Sequence, residues 1–203
     1  MINIHNRIQA CETCNSICGY KKFPVTSHGN RQSMYMLVSE APGIGSINRR
    51  EYWSGNSLLR RSCIAAKTTL ESLFYLTDIV KCWPSDVNNK NRKPSINEIN
   101  NCRLFLDEEI RLLKPILIIS LGATSGEHLL GINNVKITEK HGKITSLNNA
   151  LVLTLVHPAN YNRFSLIKDN YVSSLKKLFT MLHTVNYNND ILQLQSDIEL
   201  IFS

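Results

Sequence analysis

The run Pro115-Ile116-Leu117-Ile118-Ile119-Ser120-Leu121-Gly122 is apolar on both faces that an extended strand would present. Strands buried on both sides belong to parallel sheets covered above and below by helices. Working outward, Met34-Tyr35-Met36-Leu37-Val38 reads as a second buried strand, running into the tight loop Ser39-Glu40-Ala41-Pro42-Gly43. Tyr75-Leu76-Thr77-Asp78-Ile79-Val80 reads as another, and Leu151-Val152-Leu153-Thr154-Leu155-Val156 as a fourth, closed by His157-Pro158.

Helical patterns fill the intervals. Leu, Ile and Ala recur at helical spacing from Ser57 to Leu73, and Ser95-Ile96-Asn97-Glu98 is a capping box opening a helix to about Leu113. A short helix follows to about Leu130, and a longer one runs from Ser165 to His183. Alternating strands and helices predict an α/β fold, a three-layer α/β/α sandwich with a central four-stranded parallel sheet. At 203 residues the chain can bury one good core, so residues 1–185 are expected to form one domain. Residues 186–203 then form a C-terminal helical extension, a polar linker followed by an amphipathic helix from Ile191 to Phe202.

Ligands of such sheets bind beyond the carboxyl ends of the strands. The polar signatures (Glu40 to Gly43, Asp78, Gly122 and His157) all fall there.

Cysteines supply the second constraint. Cys11 and Cys14 form a C-x-x-C, and Cys82 and Cys102 bracket a basic, proline-marked loop from Lys81-Cys82-Trp83-Pro84 to Arg92-Lys93-Pro94. Four thiolates converging on one point suit a [4Fe–4S] cluster or zinc. The lack of a second C-x-x-C leans toward iron–sulfur. Cys18 and Cys63 read as small core residues. Six cysteines without a signal-peptide core, and no apolar run of membrane-spanning length, point to a reducing cytoplasmic setting with no membrane partner. The 23 Lys+Arg exceed the 16 Asp+Glu, a net charge of +7 that favours a polyanion partner. Much of that excess lies in loops: Lys21-Lys22, Arg49-Arg50, Arg60-Arg61 and Lys90 to Lys93.

These residues resemble the iron–sulfur branch (family 4) of the uracil-DNA glycosylase superfamily, from about Ile8 to Leu182. Ser39-Glu40-Ala41-Pro42-Gly43 is similar to that branch's G-E-A-P-G loop, with Gly55 at its downstream glycine. Thr77-Asp78-Ile79-Val80-Lys81-Cys82-Trp83-Pro84 is similar to T-N-V-V-K-C-R-P, and Leu121-Gly122-Ala123 and His157-Pro158-Ala159 match the later loops. The resemblance implies an enzyme that flips a nucleotide from DNA and breaks its N-glycosidic bond. It places the cluster on Cys11, Cys14, Cys82 and Cys102, and His157 at the base O2, where negative charge builds. Glu40, Ala41 and Gly43 then belong to the base-binding loop, and Gly122, Asn160 and Arg163 to the DNA-facing loops. Tyr161 stands where the family has an apolar wedge. Thr77 and Lys81 read as structural supports, and Phe23 as a lesser stacking candidate. His141 lacks the basic surroundings that a covalent role would need.

The departures are as telling. Where the family reads the pyrimidine edge with asparagine, this chain has Asp78. An ionised carboxylate only accepts hydrogen bonds. Facing uracil it meets the O4 acceptor, at a cost of about 1–3 kcal/mol; facing cytosine it accepts from the exocyclic amine. After Gly43 the usual water-activating carboxylate is missing, with Glu51 a distant substitute, and Trp53 occupies the stacking position. Gly45 and Ser46 remove bulk near a 5-substituent, which Asn48, Arg49 and Arg50 could bind. The expectation is a monomeric, monofunctional glycosylase. It would excise a 5-modified cytosine of phage DNA, such as a hydroxymethylated or glucosylated base, from double- or single-stranded DNA. The alternatives are an ordinary uracil-DNA glycosylase of base excision repair and a non-catalytic DNA modification sensor.

Overall fold

The computed structural model describes residues 2–14, 28–49, 58–188 and 190–203. Its centre is a six-stranded sheet in the order β1-β3-β2-β4-β6-β5. The strands are β1 (His28–Gly29), β2 (Tyr35–Ser39), β3 (Tyr75–Asp78), β4 (Leu117–Leu121), β5 (Lys143–Leu147) and β6 (Ala150–Leu155). The inner four, β3-β2-β4-β6, are all parallel, as the sequence predicts. The expected sheet of four is corrected by two antiparallel edges, β1 on β3 and β5 on β6. Strand β5 alternates between exposed and half-buried positions, as an edge strand does. A turn through Asn148, at φ 52°, joins it to β6.

Alternate residues of each inner strand face opposite layers. Leu37, Leu76, Ile119 and Leu153 pack against α3 (Leu58–Ala65), α4 (Leu70–Leu73), α8 (Ser165–Thr184) and α9 (Ile191–Phe202). Met36, Val38, Tyr75, Ile118 and Val152 pack on the other side, with α5 (Ile96–Leu113) and Leu129 of α6 (Ala123–Leu130). This is the three-layer sandwich. Helix α1 (Ile2–Ala10) lies outside α5, burying Ile4 and Ile8 against Phe105.

Two segments differ from the sequence expectation. The single helix read to Leu73 is two, because Lys67 turns left-handed at φ 58° and Thr69 caps α4 with a capping box onto Ser72. The segment after Gly43, read as a loop, is α2 (Ile44–Arg49), with Ser46 and Ile47 buried. The C-terminal α9 packs on this core, with Leu194 and Ile198 wholly buried beside residues of β6 and α8. A short α7 (Ile137–Lys140) precedes β5. Among the described residues, no helix is long and apolar enough to cross a membrane.

Candidate active site

The carboxyl ends of β2, β4 and β6 surround a cavity of about 550 Å³. Ser39, Ala41, Pro42, Gly43, Gly45 and Ser46 line one side, and His157, Pro158, Ala159, Tyr161 and Asn162 the other. Leu58, Leu59 and Arg61 of α3 contribute, with Leu121 and Asn91. Of the residues singled out in the sequence, Ala41, Gly43, Gly45, Tyr161 and His157 line this one cavity.

Asp78 ends β3 and is 1% exposed; it is not among the lining residues. The parallel register sets it beside Ser39, whose hydroxyl donates to Asp78 Oδ1. This departs from the expectation that Asp78 faces the base: its side chain is held behind Ser39, a cavity wall residue, and does not itself line the cavity. Glu40 is half-buried and is not among the lining residues; its carbonyl accepts from the Val80 N–H at 3.0 Å. Gly122 also stands behind the wall, at φ 97°, where a side chain would be strained and its Cβ would approach His157 Cβ at 3.6 Å. Asn160 and the exposed Arg163 lie on the turn after His157, beside the lining residues Tyr161 and Asn162 but not among them, and Arg49 is exposed at the end of α2. Arg50, Trp53, Gly55, Glu51, Cys18 and Phe23 lie outside the described residues.

His157 is held in one tautomer. Its Nδ1 accepts from the Ala159 N–H at 3.1 Å, which leaves the proton of the neutral ring on Nε2. Burial lowers its pKa below the usual histidine value, so the ring is neutral at pH 7. A neutral imidazole with a free Nε2–H can donate to a carbonyl oxygen as charge builds there.

Sequence reasoning misses Asn91, which joins two of the loops. Its Oδ1 accepts from the Ile44 N–H and from the Trp83 indole N–H, both at 2.8 Å. The only hint in the sequence was its place within the basic loop. Arg61 was visible only as half of a basic pair; its neighbour Arg60 is paired with Glu71 at 2.6 Å.

Thr77 and Lys81 take the supporting role expected of them. Lys81 Nζ donates to Glu109 Oε2 at 2.7 Å, to Thr77 Oγ1 and to the Asp78 carbonyl at 2.8 Å. Glu109 also accepts from Thr77 and Tyr75. This network fixes the turn between Asp78 and Cys82.

Cys14, Cys82 and Cys102 share one buried cluster, and Cys11, just past α1, is half-buried against Ile4, Ile8 and Phe105. Burial pushes the Cys102 thiol up to about 11, and the nearby Cys14 and Cys11 sulfurs push the same way. Asn101 Nδ2 donates to Cys14 Sγ at 3.4 Å. The donor chemistry suits a cluster, though among the described residues no three His, Cys, Asp or Glu side chains close up around a single metal ion. Cys63 is fully buried in the apolar core, its thiol raised to about 12 by burial, as an inert core residue would be.

The comparisons agree with this geometry. The profile of the Uracil DNA glycosylase superfamily matches residues 26–179. A Type-4 uracil-DNA glycosylase of Pyrobaculum aerophilum is 26% identical, over 87% of this chain and 91% of its own. A Type-4 uracil-DNA glycosylase of Saccharolobus solfataricus is 28% identical, over 77% and 74%. A Type-5 uracil-DNA glycosylase of Pyrobaculum aerophilum is 32% identical, over 77% and 81%. With its sandwich, its strand-end cavity and its ordered loops, the chain belongs to the uracil-DNA glycosylase superfamily.

Proposed function

We propose that this DNA glycosylase excises a 5-modified cytosine, such as the hydroxymethylated or glucosylated base of phage DNA, and serves anti-phage defence in the cytoplasm as a monomer. The observation that carries the substrate reading is Asp78 behind the Ser39 wall. Ser39 donates to Oδ1, a bond that a carboxylate accepts more strongly than a neutral acid does. In this reading the Ser39 side chain turns aside as the base enters, and the Asp78 carboxylate then offers the pyrimidine edge only acceptors, which match the cytosine amine and oppose the uracil O4. Gly45 and Ser46 line the cavity with little bulk, and Arg61 and Asn91 bring donors for hydroxyl groups on a 5-substituent.

In this mechanism the nucleotide leaves the stack and its base enters the cavity. The bond from C1′ to N1 breaks, its electron pair passes to the base, and positive charge develops on the sugar. The Nε2–H of His157 donates to O2 as charge collects there. Water adds to C1′, its proton ends on the departing base, and an abasic site remains. Cys11, Cys14, Cys82 and Cys102 would hold a [4Fe–4S] cluster. When bound, it would tie the N-terminal segment to the loop after β3 and take no part in bond cleavage.

A second reading, excision of uracil, draws on the names of the relatives. A third, binding without cleavage, draws on the lack of a carboxylate among the described cavity residues. Duplexes carrying uracil, cytosine, 5-hydroxymethylcytosine or its glucoside separate the three by mass analysis of released bases. Release of modified cytosine is expected. Release of uracil alone overturns the substrate reading, and tight binding with no abasic product overturns catalysis.

A further inference from the structure

Hydrogen bonding along β6 reaches Leu155, whose carbonyl accepts from the Gly122 N–H at 2.8 Å. Val156 follows, outside the strand and one residue before His157. Both of its backbone polar groups are nonetheless taken, and by side chains. Its N–H donates to His141 Nδ1 at 3.3 Å, and its carbonyl accepts from the Tyr171 hydroxyl at 2.5 Å.

Those two side chains belong to a column of rings. His141 stacks on Tyr171 at 5.4 Å and 24°. Tyr171 stacks on Tyr161, a cavity wall residue, at 5.0 Å and 18°. At the other end, Phe202 of α9 stands edge-on to His141 at 5.7 Å and 90°. Phe202 sits this low because residue 142 is glycine: at φ 75°, an added Cβ would come within 2.8 Å of its side chain. The rings therefore run without a break from the C-terminal helix to the cavity. Their middle members hold the residue that precedes His157.

We propose that Phe202, through His141 and Tyr171, is a positioning residue for His157, so that the C-terminal helix sets the geometry of the reacting loop. The inference rests on the role given to His157 above. Helix α9 has no residue in the cavity wall, and this column is the path from it that ends in hydrogen bonds on Val156. Catalysis is steep in position: about 1 Å of misplacement can cost about a hundredfold in rate.

The test compares the wild type with F202L, F202Y and Y171F. Single-turnover base release is measured on whichever duplex the wild type processes, alongside duplex affinity and amide hydrogen exchange at Val156 and Ala159. F202L and Y171F are expected to slow release about tenfold with affinity within twofold. F202Y, which keeps the ring, is expected to restore the rate. Exchange at Val156 should quicken in F202L while β4 stays protected. A wild-type rate in F202L overturns the proposal, as does a rate loss that disappears once scaled to the folded fraction. If the wild type releases no base from any duplex, the functional reading has failed and exchange decides alone, unchanged protection at Val156 overturning the positioning role.

Discussion

Replacing Glu109 by alanine would strand the Lys81 ammonium. The two side chains are 0% and 2% exposed, with Nζ and Oε2 2.7 Å apart. In E109A the ammonium keeps the Thr77 hydroxyl and the Asp78 carbonyl but loses its counter-charge. The Tyr75 hydroxyl loses its 3.2 Å acceptor as well. Breaking one side of a buried ion pair costs about 3–5 kcal/mol, a large share of the about 5–15 kcal/mol that holds a typical domain together. For a chain of this size that is a fall in Tm of about 6–20 °C. Urea denaturation followed by tryptophan fluorescence, with a thermal melt beside it, measures both quantities. The double variant K81M/E109M removes the charges together and should lie within about 2 kcal/mol of wild type, because no charge is left buried alone. An E109A protein within about 1 kcal/mol of wild type would refute the reasoning.

Exchanging Asp78 for asparagine should move preference from modified cytosine toward uracil by about tenfold to a hundredfold in kcat/KM, read on paired duplex substrates. Base release should hold steady down to about pH 6.5 and decline only below it, because burial keeps the His157 pKa under that value and the neutral ring is the working form; a pH–rate profile checks this. Buried His141 has a folded pKa of about 4 against 6.5 when exposed, so the unfolded chain binds the extra proton. Stability should therefore be full above about pH 6.5, fall as pH drops toward 4 and level off below, as urea midpoints would show. Serine at Cys82 or Cys102 should abolish visible absorbance and iron content and lower the Tm, without altering the cavity side chains.

The inner strands are legible in the sequence because Leu117 to Leu121 and Ala150 to Leu155 are buried on both faces, and continuous apolar runs announce that directly. The cysteines and strand-end loops are legible through residue type alone. Strand β5 is not, because Lys143-Ile144-Thr145-Ser146-Leu147 carries only the weak alternation of an edge, and its turn uses Asn148 without a glycine. Helix α2 is hidden by two small polar residues, Gly45 and Ser46, that look like loop; the buried Ile47 supplies its packing. The partnership of Asn91 with Ile44 and Trp83 spans 47 and 8 residues, and no local pattern encodes such distances. The ring column is equally silent, since Tyr161, His141 and Phe202 meet only once the helices are packed.

The double duty of the Asn91 carbonyl bears on how this enzyme can diversify. One oxygen serves both the start of α2 and the indole beside Cys82, so neither segment can shift without disturbing the other. The room for a change of length lies at the tip between Trp83 and Asn91, where Asp86 accepts from the Asn88 and Lys90 amides and Val87 stands 97% exposed. An insertion at that tip should leave both bonds of Asn91 in place, whereas one that displaces either partner segment should break them.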